Sequence, residues 1–268
     1  MSGRRTMARR SRKWDLLGRF AKDRRVFIGS VDGDVVTQSD AECILEFATG
    51  DARFLKKRHR LSDLRVLAPV DRPGKIVAVG LNYRSHIDEM DWETPRFPII
   101  FSKPATSIIG PGERIVIPRT SKRVDYEGES AIVIGRKATA VEDGSAHIFG
   151  WTCLNDVTAR DLQKTDLDWT RAKGFDTFCP IGPFVSSRPP TRVRTLLNGK
   201  IVQDAPTSDR VFGDAALVEY ISTVMTLEPG DIIATGTPSG IAPMKAGDVV
   251  EVQLDGIGSL RNQVIRAD

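Results

Sequence analysis

The chain has 268 residues, 40% of them hydrophobic and 28% charged, and a formal net charge of +4. That balance suits a globule with a substantial core and excludes a disordered, collagen-like or disulfide-scaffold chain. No apolar run reaches the roughly 18 residues that a membrane-spanning helix needs.

The charge is unevenly placed. Residues 1–25 carry ten Lys/Arg against Asp15 and Asp23, so the remainder is acidic overall. This end lacks the apolar segment of a secretory signal and is short of Ser for a transit peptide. Residues 1–12, with Arg4, Arg5, Arg9, Arg10 and Arg12 and no periodic apolar face, are expected to form a basic disordered extension. Their removal is expected to leave activity and melting temperature alike; a large drop in either would show that they pack on the body or on a partner. Such a tail could touch nucleic acid, but that is not the expectation here; salt-sensitive retention on DNA, lost with the tail, would favour it. Cys43, Cys153 and Cys179 form no C-x-x-C pair, which points to reduced thiols and a cytoplasmic protein.

In chain order, residues 13–72 read as a small N-terminal lobe. Trp14–Phe20, Val26–Ser30 and Val35–Thr37, with a turn at Asp32-Gly33, suggest an antiparallel unit. Asp40 could cap a helix from Ala41 to Ala48, ended by Gly50. Residues 51–65 are strongly charged and are expected on the surface. From residue 73 onward the pattern becomes one of short apolar runs: Ile76–Val79, Ile99–Phe101, Ile115–Ile117, Ala131–Ile134, Ile148–Leu154 and Ile232–Ala234. Asn198-Gly199 between Arg192–Leu197 and Lys200–Gln203 is a strong hairpin signal. After Asp214, the spacing of Leu217, Ile221, Val224 and Met225 predicts a helix with one apolar face. Many strands without βαβ alternation argue against a Rossmann fold or an α/β barrel and for a β-rich α+β domain over residues 73–268.

The chemistry concentrates in Asp125-Tyr126-Glu127-Gly128-Glu129-Ser130. On a strand Glu127 and Glu129 face the same way, with Cα atoms roughly 6.6–7 Å apart. Two carboxylates on one face repel unless a proton or cation separates them. A bridged cation would be hard, Mg²⁺ or Mn²⁺, because neither Cys nor His stands at ligand spacing. Gly128 and Ser130, on the opposite face, are small enough for another layer to approach. A Glu-x-Glu pair equally suits a solvated edge strand. Asp156 ends the apolar run from Phe149, where an acid presents itself either as a ligand or as a helix N-cap before Thr158. His86 and Glu89 become neighbours if a helical turn follows Gly80-Leu81-Asn82; the carboxylate would then hold the imidazole tautomer and raise its basicity, as a general base requires. The same pair could be a surface contact. His59 and His147 look structural, and Lys173 has no local distinction. The loop Gly236-Thr237-Pro238-Ser239-Gly240 could hold a carboxylate on its N–H groups and hydroxyls, or be only a turn.

Taken together and in order, the segments Gly80–Met90, Val124–Gly135, Gly150–Gln163, Arg171–Gly182, Met225–Pro243 and Gly256–Asn262 resemble the fumarylacetoacetate hydrolase family, over about Lys75 to Val264. The resemblance implies a rolled mixed β-sheet and a homodimer or higher homo-oligomer. It implies that Glu127, Glu129 and Asp156 ligate Mg²⁺ or Mn²⁺, that His86 and Glu89 activate water, and that Lys173 stands beside the metal. Gln163 and Thr237 would contact substrate, and Asp88–Phe97 would form a mobile lid. Ser130 departs from the family's usual large apolar residue, a departure that bears on packing more than on ligation. The implied reaction is cleavage of a C–C bond in a β-oxygenated α-keto acid, by acylpyruvate hydrolysis or oxaloacetate-type decarboxylation, through a metal-stabilised pyruvate enolate. Isomerisation or decarboxylation of oxo-dienedioates, sugar-acid dehydration, and a non-catalytic metal-binding role remain alternatives on the same residues.

Overall fold

Four of the apolar runs lie inside a twelve-stranded mixed sheet, Ile99–Phe101 falls on its last strand, and Ile115–Ile117 belongs to a second sheet. The computed structural model describes residues 14–267, so the extension expected over residues 1–12 lies outside the described residues. Side by side run Phe54–Arg60, Val35–Ser39, Arg25–Asp32, Leu16–Lys22, Cys179–Ser186, Ile148–Asn155, Gly128–Ile134, Ile232–Ala234, Ile76–Gly80 and Ile99–Lys103. Arg65–Leu67 and Ile108–Ile109 pair off this path. Ile232–Ala234 runs parallel to Ile76–Gly80, and Ile108–Ile109 parallel to Cys179–Ser186; the other ladders of this sheet are antiparallel. Within the segment expected as an N-terminal lobe, Leu16–Lys22 joins this sheet directly, with Leu16 opposite Ser186 and Leu17 opposite Val185.

The central strands are buried on both faces, which is why they read as unbroken hydrophobic runs rather than alternating ones. Ala131, Val133, Ile76, Ala78, Ile232 and Ala234 pack on one side with Trp14 and Leu17. Ile132, Ile134, Val77, Val79 and Ile233 pack on the other, under Leu217, Val218 and Ile221 of the helix Asp214–Val224. Each large aliphatic side chain so buried contributes roughly 1.5–3 kcal/mol.

A five-stranded sheet packs against Cys179–Ser186, Ile148–Asn155 and Gly128–Ile134, in the order Lys200–Pro206, Arg192–Leu197, Val249–Leu254, Gly258–Arg266 and Arg114–Ile117. Its first hairpin turns at Asn198 and Gly199, at φ +52° and +79°, the paired positive angles that a two-residue turn of this kind uses. Tyr83, Cys153, Val193, Val252 and Leu260 pack together beside it. At Gly128 a Cβ would sit 1.9 Å from Thr195 Oγ1, so this glycine permits the close approach expected of it. Gly128→Ala is therefore expected to lower the melting temperature. Overpacking costs about 1–3 kcal/mol, and each kcal/mol is worth roughly 2–4 °C in a domain of this order of size. Calorimetry on the variant checks this; an unchanged transition would mean that the sheets move apart freely.

Several local readings need correction. The helix expected over Ala41–Ala48 is only Glu46–Thr49. Asp40 does not cap it: its carboxylate accepts from the Arg53 N–H at 2.7 Å, while Glu46 takes the Glu42 and Cys43 N–H groups. The charged run 51–65 does lie largely on the surface, where it includes the edge strand Phe54–Arg60. The helix expected from Thr158 begins at Arg160, because Thr158–Ala159 pairs with Val124–Asp125. Val224, assigned to an apolar helix face, is 55% exposed, and Val218 takes the buried place. Ser130 pairs its hydroxyl with Thr235 Oγ1 at 2.9 Å, so the polar atom is satisfied inside the core. Among the described residues no helix is long and apolar enough to cross a membrane.

Candidate metal centre

The two-rung ladder between Val124–Asp125 and Thr158–Ala159 brings the end of the strand Ile148–Asn155 against the start of Gly128–Ile134. Two further bonds tie the junction. The Glu127 N–H donates to Asn155 Oδ1 at 2.9 Å, and the Asp156 N–H to the Glu127 carbonyl at 2.8 Å. Asp156 is thus a strand-end presenter and not a helix N-cap; the helix Arg160–Thr165 takes Ala159 at that position. Glu127, Glu129 and Asp156 are all buried, and each offers an oxygen within 4.8 Å of the others.

Cations surround two of the three carboxylates. Lys173 Nζ donates to Glu127 Oε2 at 2.8 Å and to Asp156 Oδ2 at 2.6 Å. Lys103 Nζ faces Asp156 Oδ1 at 2.7 Å without a directed hydrogen bond, and donates to the Lys173 carbonyl. Arg160 pairs with Glu127 Oε1. Among the described residues Glu129 meets only a backbone donor, the Gly236 N–H at 2.7 Å. The electrostatics follow. Burial disfavours the charged form of Glu127, but Lys173 and Arg160 outweigh it and hold the carboxyl below its ordinary range. Burial pushes Glu129 well above its ordinary value, and the charges of Asp156 and Glu127 push further. Burial also opposes the Lys173 ammonium, yet Asp156 and Glu127 raise it above the ordinary lysine value, so Lys173 is a cation here and not a base. A divalent ion among these oxygens would offset the burial and the carboxylate repulsion that raise Glu129. The all-oxygen donor set suits Mg²⁺ or Mn²⁺, and the triad could hold one.

The triad lines a cavity of about 410 Å³ whose apolar wall includes Val79, Leu81, Met90, Trp92, Phe101 and Trp169. His86, Lys173, Gln163 and Thr237 line it as well, so of the eight candidate metal, catalytic and substrate residues all but Glu89 border one space. His86 and Glu89 lie on the helix Arg84–Glu89, where Glu89 Oε2 stands 3.1 Å from His86 Nδ1. Glu89 Oε1 accepts from the Gly240 N–H at 3.0 Å, which ties this helix to the Gly236–Gly240 loop. Beyond Glu89, Asp91 has a φ of +54°. Trp92 is 51% exposed at the mouth, and Phe97 stacks on Tyr220 at 6.3 Å between ring centroids. Thr237 Oγ1 donates to the Gly128 carbonyl at 3.0 Å and accepts from Gln203 Nε2 at 2.8 Å, so its one hydroxyl hydrogen is used inside the protein. Gln163 Oε1 accepts from Arg160 Nη1 at 2.6 Å. Cys153 and Cys179 are buried, and burial pushes each thiol up to about 12, which removes them as nucleophiles.

Sequence reasoning overlooked Lys103, Arg160 and Asp125. Lys103 is the buried last residue of the strand Ile99–Lys103, two residues past its apolar run and just before Pro104. Arg160 and Asp125 sit in the quoted motifs but have no local pattern that pairs them.

Residues 75–265 match the family described as fumarylacetoacetate (FAA) hydrolase, C-terminal. The structure of a 5-carboxymethyl-2-hydroxymuconate delta-isomerase from Mycobacterium smegmatis is 42% identical, covers 94% of this chain and 100% of its own, and superposes with a TM-score of 0.85. A human mitochondrial protein named oxaloacetate tautomerase is 39% identical over 76% of this chain and 70% of its own length. A maleylpyruvate hydrolase from Sphingobium, solved with manganese(II) and pyruvate, is 29% identical, covers 94% of this chain and 100% of its own, with a TM-score of 0.77.

Proposed function

The chain belongs to the fumarylacetoacetate hydrolase family, and on that premise we propose that it is a divalent-metal-dependent enzyme that breaks a C–C bond in a β-oxygenated α-keto acid, by acylpyruvate hydrolysis or oxaloacetate-type decarboxylation. The observation that carries this reading is the buried triad Glu127, Glu129 and Asp156 in one cavity with Lys173 and His86. These three carboxylates would hold Mg²⁺ or Mn²⁺. When bound, the ion would act as a Lewis acid toward a chelating keto acid.

The remaining chemistry belongs to side chains. An ammonium has three N–H groups; Lys173 uses two on Glu127 and Asp156 and keeps the third for the oxygen on which enolate charge develops. Glu89 accepts from His86 Nδ1, which leaves Nε2 as the basic nitrogen to take a proton from water for hydrolysis. Decarboxylation needs the same stabilisation of enolate charge but no attacking water. The aromatic wall of Phe101, Trp169 and Trp92 limits bulk water around these charges. The family likeness supports a homodimer or higher homo-oligomer, and the free cysteines suit a cytoplasmic enzyme.

A second reading is favoured by the relatives' names. The relatives 42% and 39% identical are called isomerase and tautomerase, the one at 29% a hydrolase. In that reading His86 moves a proton at the carbon beside the keto group, and no C–C bond breaks. A panel of α-keto acids, followed for pyruvate release and for enol–keto absorbance with Mg²⁺ and with EDTA, separates the two. Pyruvate release that EDTA abolishes supports cleavage. Absorbance change without pyruvate supports tautomerisation, and metal-independent turnover defeats both.

A further inference from the structure

Arg160 is 5% exposed, and all three of its guanidinium nitrogens are engaged. Nε donates to Asp125 Oδ2 at 3.0 Å, Nη1 to Gln163 Oε1 at 2.6 Å, and Nη2 to Glu127 Oε1. Asp125, at 0% exposure, also takes two bonds from Arg123, Nε to Oδ1 at 2.9 Å and Nη2 to Oδ2 at 3.1 Å. The Arg160 N–H donates to the Arg123 carbonyl at 2.8 Å. The guanidinium therefore cannot turn without breaking several charge-assisted bonds, the strong class of hydrogen bond.

This has a consequence for Gln163. A guanidinium only donates, so the Gln163 amide must point its carbonyl at Arg160. Its NH₂ group then points the other way. It has no hydrogen-bond partner among the described residues, and Gln163 lines the cavity. We propose that Asp125 is a positioning residue which, through Arg160, fixes Gln163 as an obligatory hydrogen-bond donor to an oxygen of the bound keto acid. The site thereby selects ligands that place a carboxylate or carbonyl oxygen at this point and rejects those that place a donor there. The proposal rests on the reading of this cavity as a keto-acid site; the polarity of the contact, and what sets it, are added here.

The test uses full-length protein, Mn²⁺, and oxalate as the probe, with both dissociation constants measured by calorimetry. Gln163→Glu keeps an acceptor for Arg160 but turns the cavity-facing donor into an anionic oxygen. It is expected to weaken oxalate binding at least about tenfold, the size of a lost charge-assisted hydrogen bond, with Mn²⁺ affinity retained. Asp125→Asn is expected to weaken oxalate by about tenfold in the wild-type background and to add no further loss in an Arg160→Met background, since it acts through that side chain. Oxalate binding unchanged in Gln163→Glu, or equal Asp125→Asn losses in both backgrounds, overturns the proposal. If Asp125→Asn fails to fold, Asp125→Ser takes its place, and if Arg160→Met fails to fold, Arg160→Lys does, with the same outcomes expected. Failure of the wild-type protein to bind Mn²⁺ or oxalate overturns the functional reading and this proposal with it, whereas a failure confined to the variants overturns only the proposal.

Discussion

Glu129→Gln is expected to abolish metal-dependent turnover and, at the same time, to raise the melting temperature of the metal-free protein at neutral pH. The substitution preserves shape and keeps an oxygen for the Gly236 N–H, so packing is spared. The loss in turnover should exceed the roughly 10–100-fold that follows from disturbing groups behind a metal ligand, because a ligand itself is changed. The gain in stability has the opposite origin. Burial, with Asp156 and Glu127 nearby, raises this carboxyl well above its ordinary value. The folded metal-free protein therefore holds that proton more tightly than the unfolded chain. The contribution is fully present below the ordinary glutamate value and is lost as pH rises from there through the raised folded value. Metal-free wild type should lose stability over that window, and the variant should not. Mg²⁺ should stabilise wild type by mass action and leave the variant unmoved. Melting curves against pH, with EDTA and with Mg²⁺, check all three points. A variant that melts below wild type in EDTA, or that responds to Mg²⁺ as wild type does, would remove Glu129 from the site. Asp156→Ala is a poorer probe. It strips the acid from between Lys103 and Lys173, and breaking a buried pair costs about 3–5 kcal/mol, so lost function would be confounded with lost fold.

His86→Ala should cost acylpyruvate hydrolysis about 10²–10⁴-fold, the usual size of a general-base contribution. It should spare Mn²⁺ affinity and reduce oxaloacetate decarboxylation far less. The three acids already supply the charge a cation requires, and His86 is held instead by Glu89, which the Gly240 N–H anchors in turn. Glu89→Gln should move the same reaction in the same direction by a smaller factor, since the imidazole remains but its orientation slackens. Both reactions measured on one preparation give the answer: equal losses in the two, or loss of bound Mn²⁺, would rule out the base assignment. If the protein is a tautomerase, the His86→Ala loss appears in enol–keto interconversion.

The placement of the strands was legible because it depends on neighbours in sequence. Ile76–Gly80, Gly128–Ile134 and Ile148–Asn155 announce themselves as β-branched and apolar runs, and Asn198-Gly199 carries its turn in its own backbone preference. The short helix at Glu46–Thr49 and the late start at Arg160 were not legible, because distant partners decided them: Arg53 takes the carboxylate of Asp40, and Val124–Asp125 takes Thr158–Ala159 into a ladder.

The same division runs through the site. The sequence by itself determined which oxygen donors were available, the shared facing of Glu127 and Glu129, the small residues that let a second sheet approach, and the helical pairing of His86 with Glu89. The first and third follow from residue type, the other two from strand and helix periods. Only the tertiary structure decided the charge of the site. It brought Lys103, Lys173 and Arg160 against Glu127 and Asp156 while leaving Glu129 with a backbone donor alone, and it turned Gln163 by way of Arg160 and Asp125. A Coulomb interaction depends on distance in space and on burial, and neither can be read from the spacing of residues along the chain.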